Sequence, residues 1–274
     1  MFAAEGAEVV VLDVDREGAE TVAAEIDAET GSARAVGCDL TDREAVASTI
    51  EALREETGGI DVLVNNAAMV DARSRVAEYD DEIWDRDVAI NLTGTYNITR
   101  EVFPAMCERG WGRVVSMSSM AGWQGGFGQI SYSATKAAIV GLGKTLALED
   151  AQQGITSNVV APSIVVEALA AMPLEDLEDV DSYFARIAKV TPMRQLGREA
   201  DVANTVALLA SEQASYITGQ VVGVTGGIDL FSFSRRSRRF AADRSRASGF
   251  LPTRVFVYFP SGESCRFGRR TMGN

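Results

Sequence analysis

Tyr132 and Lys136 lie four residues apart in the run Ser131-Tyr-Ser-Ala-Thr-Lys136, and Ser119 stands thirteen residues before the tyrosine. On a helix, positions i and i+4 share a face, so the phenol and the ammonium can work as one unit. A nearby cation favours the ionised phenol and lowers its pKa. A tyrosine tuned in this way can give a proton to a carbonyl, or take one from an alcohol, near neutral pH. The Ser119 hydroxyl could hydrogen-bond the same substrate oxygen and stabilise charge developing there. On spacing alone, an ordinary pair on a helix surface is the simpler reading.

The surrounding chain changes that reading, because it supplies what such a site needs to be held in place. Residues 113–117 read as a buried strand running into the polar turn Ser118-Ser119. A glycine-rich loop follows, with Gly122, Gly125, Gly126 and Gly128, and then an apolar, Ala-rich helix is predicted over 131–152, with Tyr132 at its head. Upstream, 60–64 is a strand ending in polar residues. Asn91 lies inside a mostly helical stretch over 80–109, broken or bent near Pro104. Apolar strands are also predicted at 8–13, 33–38, 156–160 and 220–224, and helices at 16–30, 42–57 and 198–211, with one or two short helices around Pro173. Gly31 stops the first helix, and Thr41-Asp-Arg-Glu44 reads as a capping box for the second. Such alternation predicts an α/β domain with a doubly wound parallel sheet covered on both faces. About 230 residues suffice for one domain of this kind.

Four motifs in order carry a resemblance. Asn65-Asn-Ala-Ala68, Asn91, Ser119 and the Tyr132/Lys136 pair make the chain similar to the short-chain dehydrogenase/reductase family, over residues 2–231. The resemblance implies a Rossmann-like fold and hydride exchange between a nicotinamide cofactor and a secondary alcohol/ketone pair. It implies that Tyr132 is the acid/base and that Lys136 binds the nicotinamide ribose and lowers the tyrosine pKa. Ser119 would orient the substrate oxygen, and Asn91 would support a proton-relaying water. Ser118 is the neighbour that could be confused with Ser119; the spacing to Tyr132 favours Ser119.

For the cofactor, Asp13 ends a strand where an acid accepts hydrogen bonds from the adenosine ribose. It would repel a 2′-phosphate, which favours NAD over NADP, although Arg16 stands close by. The resemblance further places Asp39 and Leu40 near the adenine, Asn65 and Ala67 along the ribose, and the backbone of Val165 at the nicotinamide amide. Ala68 and Ser163 replace expected glycines, and Glu167 replaces a threonine. Trp123, Gln124, Phe127, Leu169 and Met172 are candidate pocket walls that would serve equally as core.

Both ends depart from the family. The glycine-rich dinucleotide fingerprint is absent, and residues 1–7 look like the end of the helix that should follow it. Roughly 30 residues, about one βα unit, are therefore expected to be missing, including the first and central strand. A late-called start or a truncated gene explains this more simply than a variant phosphate site. The domain is expected over 1–230. Residues 231–274 form an Arg-rich tail, expected to be disordered or an artefact of a shifted or read-through end. Within the tail, 254–259 (Arg-Val-Phe-Val-Tyr-Phe) is apolar and β-prone, and it could fill the vacant central slot of the sheet.

Composition sets the outer bounds. The absence of histidine excludes Ser-His-Asp hydrolysis and a His-bound zinc. Three scattered cysteines predict neither a disulfide framework nor a thiolate metal site, and they fit a reduced cytoplasm. No apolar run is long enough to span a membrane. The tail holds ten Arg and two acids, a net charge of +8, so the rest carries −21. So acidic a surface disfavours nucleic acid and anionic membranes, and it resembles proteins adapted to high salt. The expected partners are a small alcohol or ketone and further copies of the chain, in a homodimer or homotetramer built on the two long helices. A 3-oxoacyl-carrier-protein reductase is the alternative activity. The competing expectation is a catalytically inactive chain that persists as an assembly partner.

Overall fold

In the computed structural model, residues 1–30, 32–70, 73–174, 176–177 and 182–230 and the backbone of 255–260 are described. Runs of Val and Ile alternate with amphipathic stretches, and strands alternate with helices accordingly. β1 (Ala7–Asp13) leads into α1 (Arg16–Thr30), and β2 (Ala33–Gly37) into α2 (Arg43–Thr57). β3 (Val62–Asn65) leads into α3 (Asp81–Val88) and α4 (Thr95–Arg109). β4 (Gly112–Met117) is followed by the short α5 (Ala121–Gln124) and the long α6 (Ile130–Asp150). After β5 (Ile155–Pro162) come α7 (Glu167–Ala170), α8 (Ser182–Val190) and α9 (Glu199–Ala210), then β6 (Val221–Val224) and β7 (Val255–Pro260).

The seven strands lie in the order β2-β1-β7-β3-β4-β5-β6. The pairs β1–β2, β3–β4, β4–β5 and β5–β6 are parallel, as expected of a doubly wound sheet. β7 is the exception. It lies antiparallel between β1 and β3, with Leu12 opposite Val255, Val9 opposite Tyr258, and Val62 opposite Tyr258 on the other side. The wholly parallel sheet expected from the sequence is thus corrected to a mixed one, and the central slot is filled from the C-terminal stretch. The physical reason is backbone satisfaction. β1 and β3 are buried strands, and the edges they turn towards each other need hydrogen-bond partners. The rest of the tail, expected to be disordered or an artefact, lies outside the described residues, as does Gly31.

Alternate side chains of the strands feed two cores. Val10, Leu12, Leu63 and Val114 pack with Ile50 of α2 and Ile98, Val102 and Met106 of α4. Val9, Val11, Val64, Val115 and Val160 pack on the other face with Val22 of α1 and Val206 and Leu209 of α9. A third cluster, around Leu177, Ala188 and Leu196, takes in Ile164 and Val166, just beyond β5. Among the described residues, no helix is long and apolar enough to cross a membrane.

Two local expectations change. α2 is capped by Asp42, whose carboxylate accepts from the backbone N–H groups of Glu44 and Ala45, rather than by Thr41. The helical stretch over 80–109 is interrupted at Ala89–Gly94, a π-helical segment, and not at Pro104. Pro104 and Arg100, the residue whose carbonyl it frees, are both exposed, so water can satisfy that carbonyl. At Ala89–Gly94 the helix widens where Gly94 must approach Leu40; a Cβ on Gly94 would come within 2.9 Å of the Leu40 Cβ.

α5 lies directly on α6 because Gly122 has no side chain. An added Cβ would meet the Lys136 carbonyl carbon at 2.7 Å and the Ala137 nitrogen at 2.9 Å. Backbone cannot yield as a side-chain tip can. Gly122→Ala is therefore expected to lower stability by about 1–3 kcal/mol in equilibrium denaturant unfolding.

Candidate active site

β4 ends at the floor of the site, and its last residues set the rest. The two serines that follow are used differently. Ser118 is buried; its N–H donates to the Val160 carbonyl (2.8 Å) and its hydroxyl to the Lys136 carbonyl (2.6 Å), which fastens α6 to the sheet. Ser119 is partly exposed; its Oγ accepts from the Ala121 N–H (3.1 Å), and its side chain is the one that acts to lower the pKa of the Tyr132 phenol. Of the two, Ser119 faces the phenol.

Lys136 is almost fully buried. Its Nζ donates to the Met117 carbonyl at 2.7 Å and lies 5.8 Å from the centroid of the Tyr132 ring. Burial, with no carboxylate partner among the described residues, pushes its ammonium down to about 8. Burial also pushes the Tyr132 phenol above its ordinary value, and the hydrogen bond from Ser119 opposes this. The sequence predicts a tyrosine lowered by its lysine; here desolvation is the larger effect, and the lysine is engaged with Met117.

Asn91 sits in the π-helical segment with no exposure. Its Oδ1 accepts from the Met69 N–H (2.7 Å), and its Nδ2 donates to the Met69 carbonyl (3.0 Å) and to Thr135 Oγ1 (3.4 Å). Thr135 in turn donates to the Tyr132 carbonyl (3.0 Å). Asn91 thus clamps the segment after β3 and touches the turn of α6 that carries the tyrosine. Its side-chain amide is bonded to Met69 and Thr135.

A buried polar chain, not foreseen from the sequence, holds the head of α6. Ser131 donates to Asp87, the Tyr79 hydroxyl lies 2.6 Å from Ser131 Oγ, and Arg86 pairs with Asp87 at 3.3 Å. Asp87 and Ser131 are both buried. The available signal was an acid four residues before Asn91, one helical turn away on the same face.

The remaining predicted residues line the ends of the strands. Asp13 is buried, and its Oδ1 accepts from the Asp15 N–H (3.0 Å). Asp39 is exposed and folds an Asx turn onto the N–H and hydroxyl of Thr41, each at 2.8 Å. Leu40 is buried, and its carbonyl accepts from Asn97 (2.8 Å). Asn65 donates to Thr99 (3.0 Å) and Ser116 (3.1 Å), tying β3 to α4 and β4, and Ala67 packs in the core beside it. Val165 bridges to Gly197 through the carbonyl of Ile164 and the N–H of Val166. In that parallel bridge, the N–H and C=O of Val165 itself point away from Gly197.

Glu167, which departs from the family pattern, accepts from the Glu199 N–H at 2.8 Å and so caps α9. Gln124 donates to the Asp229 carbonyl (2.8 Å), Leu169 and Met172 join the third core, and Phe127 is largely exposed.

A nicotinamide cofactor fits one half of this arrangement by its donor set. Lys136 Nζ has one protein partner among the described residues and further N–H groups to offer ribose hydroxyls. Val165 offers a backbone donor and acceptor to a carboxamide. Asp13, Asp39 and Asn65 stand at consecutive strand ends, where the adenosine half would lie.

The chain is similar to known proteins over most of its length. Residues 1–229 match the family described as enoyl-(acyl carrier protein) reductase. The oxidoreductase UcpA of Escherichia coli (strain K12) is 39% identical over 236 residues, 84% of this chain and 88% of that protein. A 3-oxoacyl-[acyl-carrier protein] reductase from Brucella melitensis, solved with bound NAD, superposes with a TM-score of 0.70 at 32% identity, covering 80% of each chain. A gluconate 5-dehydrogenase from Burkholderia cenocepacia, solved with NADP and tartrate, gives a TM-score of 0.73 at 26% identity, over 81% of this chain and 86% of that one. The chain belongs to the short-chain dehydrogenase/reductase family, and with it to the NAD(P)-dependent oxidoreductases that interconvert an alcohol and a carbonyl.

Proposed function

We propose that Tyr132, Ser119, Lys136 and Asn91 form the active site of this oxidoreductase, and that it works on a secondary alcohol/ketone pair with NAD(H). The observation that carries the reading is a buried Lys136 beside Tyr132 on one helix, its Nζ 5.8 Å from the Tyr132 ring centroid, with Ser119 close enough to act on the phenol. A bound nicotinamide supplies or accepts the hydride at the reacting carbon. In reduction, the Tyr132 hydroxyl gives its proton to the oxygen as negative charge builds there. Ser119 donates to the same oxygen and stabilises that charge before transfer is complete. Lys136, charged below its pKa of about 8, favours the resulting phenolate and offers its remaining N–H groups to the ribose. Asn91 holds Met69 and Thr135, and through them the position of Tyr132. Asp87 and Tyr79 fix the same turn through Ser131.

The preference for NAD rests on Asp13, an acid buried at the end of β1 where a 2′-phosphate would meet a carboxylate. Arg16, the cation that could have offset it, is turned along its own helix to Glu20 at 2.8 Å. Asp39, Leu40, Asn65 and Ala67 complete the adenosine side, and the backbone of Val165 takes the nicotinamide amide. Assembly as a homodimer or homotetramer through α4 and α6 is supported by exposed apolar side chains there, Tyr96 and Leu148. A cytoplasmic location and adaptation to high salt follow from the sparse cysteines and the charge of −21 over residues 1–230. The similarity to a 3-oxoacyl-carrier-protein reductase keeps that activity as the second reading.

Tyr132→Phe should reduce turnover by about 10²-fold or more while NADH binding is retained; equal turnover would remove Tyr132 from the chemistry. For carbonyl reduction, kcat/KM should fall as pH rises through about 8, because Lys136 then loses its charge and with it the stabilisation of the phenolate. A profile flat from pH 7 to 10 would contradict this, as measured by NADH oxidation. Activity should persist in molar salt; inactivation there, with a low-salt optimum, would end the high-salt reading.

A further inference from the structure

We infer that the substrate of this site carries an anionic group, a carboxylate or a phosphate ester, and that Arg73 and Arg75 hold it at the rim; the inference rests on the oxidoreductase reading above. In a domain of net charge −21, cations are outnumbered, and six other arginines lie within ion-pair reach of a carboxylate. Arg73 and Arg75 are exposed and pair with none among the described residues. Each lies against an aromatic ring instead. The Arg73 guanidinium is 5.6 Å from the centroid of Tyr183 on α8, and that of Arg75 is 5.8 Å from the centroid of Phe127, in the loop before α6.

The segment that carries them is fastened to the active site at two points. Ser74, between the two arginines, donates its N–H to the Gly128 carbonyl at 2.9 Å, and Tyr79 reaches Ser131, the neighbour of Tyr132. Gly128 permits this approach: its φ is +74°, and an added Cβ would meet the Ser74 nitrogen at 3.2 Å. The loop itself is tied to the first turn of α6 by the Gly126 N–H, which donates to Ser133 Oγ at 2.9 Å. The segment and the loop before α6 are thus tied to the turn that carries Tyr132; the loop supplies the ring beside Arg75, and α8 the ring beside Arg73.

A cation–π contact at this distance does not take up the N–H groups of a guanidinium as an ion pair would. Their planar fork matches the paired oxygens of a carboxylate or phosphate. An exposed arginine resting on a ring also gives up less side-chain freedom when an anion arrives. At long range, the acidic domain repels an anion. The two cations act within a Debye length, about 10 Å at 0.1 M salt, and make the rim the place where an anion can dwell.

The test compares an oxo-carboxylic acid, its methyl ester and the corresponding oxo-alkyl phosphate as substrates with NADH. Wild type and the variants Arg73→Gln, Arg75→Gln and Arg73→Gln/Arg75→Gln are measured side by side. The inference predicts that wild type prefers at least one anionic probe to the ester by roughly tenfold in kcat/KM. It also predicts that the double variant removes most of that preference, chiefly through KM, and that added salt erodes it in wild type. Preference for the acid or for the phosphate tells the two sources apart. Equal or better use of the ester, or a double variant that lowers acid, phosphate and ester alike, would overturn the inference while leaving the oxidoreductase reading intact. Turnover of none of the probes would count against both.

Discussion

The buried ammonium of Lys136 is the constraint around which the rest is arranged. Its Nζ is held by the carbonyl of Met117 at the end of β4, while the Lys136 carbonyl is held by Ser118, one residue further on. One residue of α6 is therefore bonded to the strand end at both its side chain and its backbone. That double attachment fixes how far α6 can slide or turn along the sheet, and Tyr132 is one turn away on the same face. Keeping a charged group there is costly, and its pKa of about 8 records the cost. The arrangement persists because the surrounding packing leaves it no alternative: Gly122 lets α5 close over Lys136, and Gly143 lets α6 lie on Val159.

Around this anchor the site is braced from the β3 side. Asn91 and Asp87 come from neighbouring turns of the α3–π–α4 helix and reach Thr135 and Ser131, one on either side of Tyr132 in sequence. The π-helical segment explains how one helix serves two purposes. It widens at the point where Asn91 must face inward and Gly94 must meet Leu40, a local distortion of the kind often found at functional sites. The phenol then sits in a partly dry setting that raises its pKa, against which Ser119 and a charged Lys136 must work. The direction of that balance bears on chemistry: a phenol kept protonated is suited to donate to a forming alkoxide.

Much of this was legible in the sequence because it is local. The Tyr132/Lys136 spacing, the Ser119 offset and the alternation of Val-rich strands with helices depend on short-range periodicity, and the element types follow it. What was not legible depends on burial and on long-range pairing. Ser118 and Ser119 are alike in sequence, and only the fold sends one to the Lys136 carbonyl and the other to Tyr132. The pKa of Tyr132 runs opposite to expectation because desolvation is a property of the packed site and not of the spacing. Asp42 displaced Thr41 as the cap, since either oxygen could have served. Glu167 reads as a departure from a family pattern, yet it satisfies the first turn of a helix over thirty residues away. The run at 254–259 was visible as β-prone, but its antiparallel direction was not, because a short segment's periodicity carries no information about polarity.

The most direct test of the account is a titration of the chain with NADH in high salt, followed by nicotinamide fluorescence, with wild type and Lys136→Met measured together. Saturable enhancement in wild type that is lost or strongly weakened in Lys136→Met is the predicted result, because the ribose would lose its buried donor. Absence of saturable binding in wild type, or identical binding by the two proteins, would contradict the claim that Lys136 organises a cofactor site.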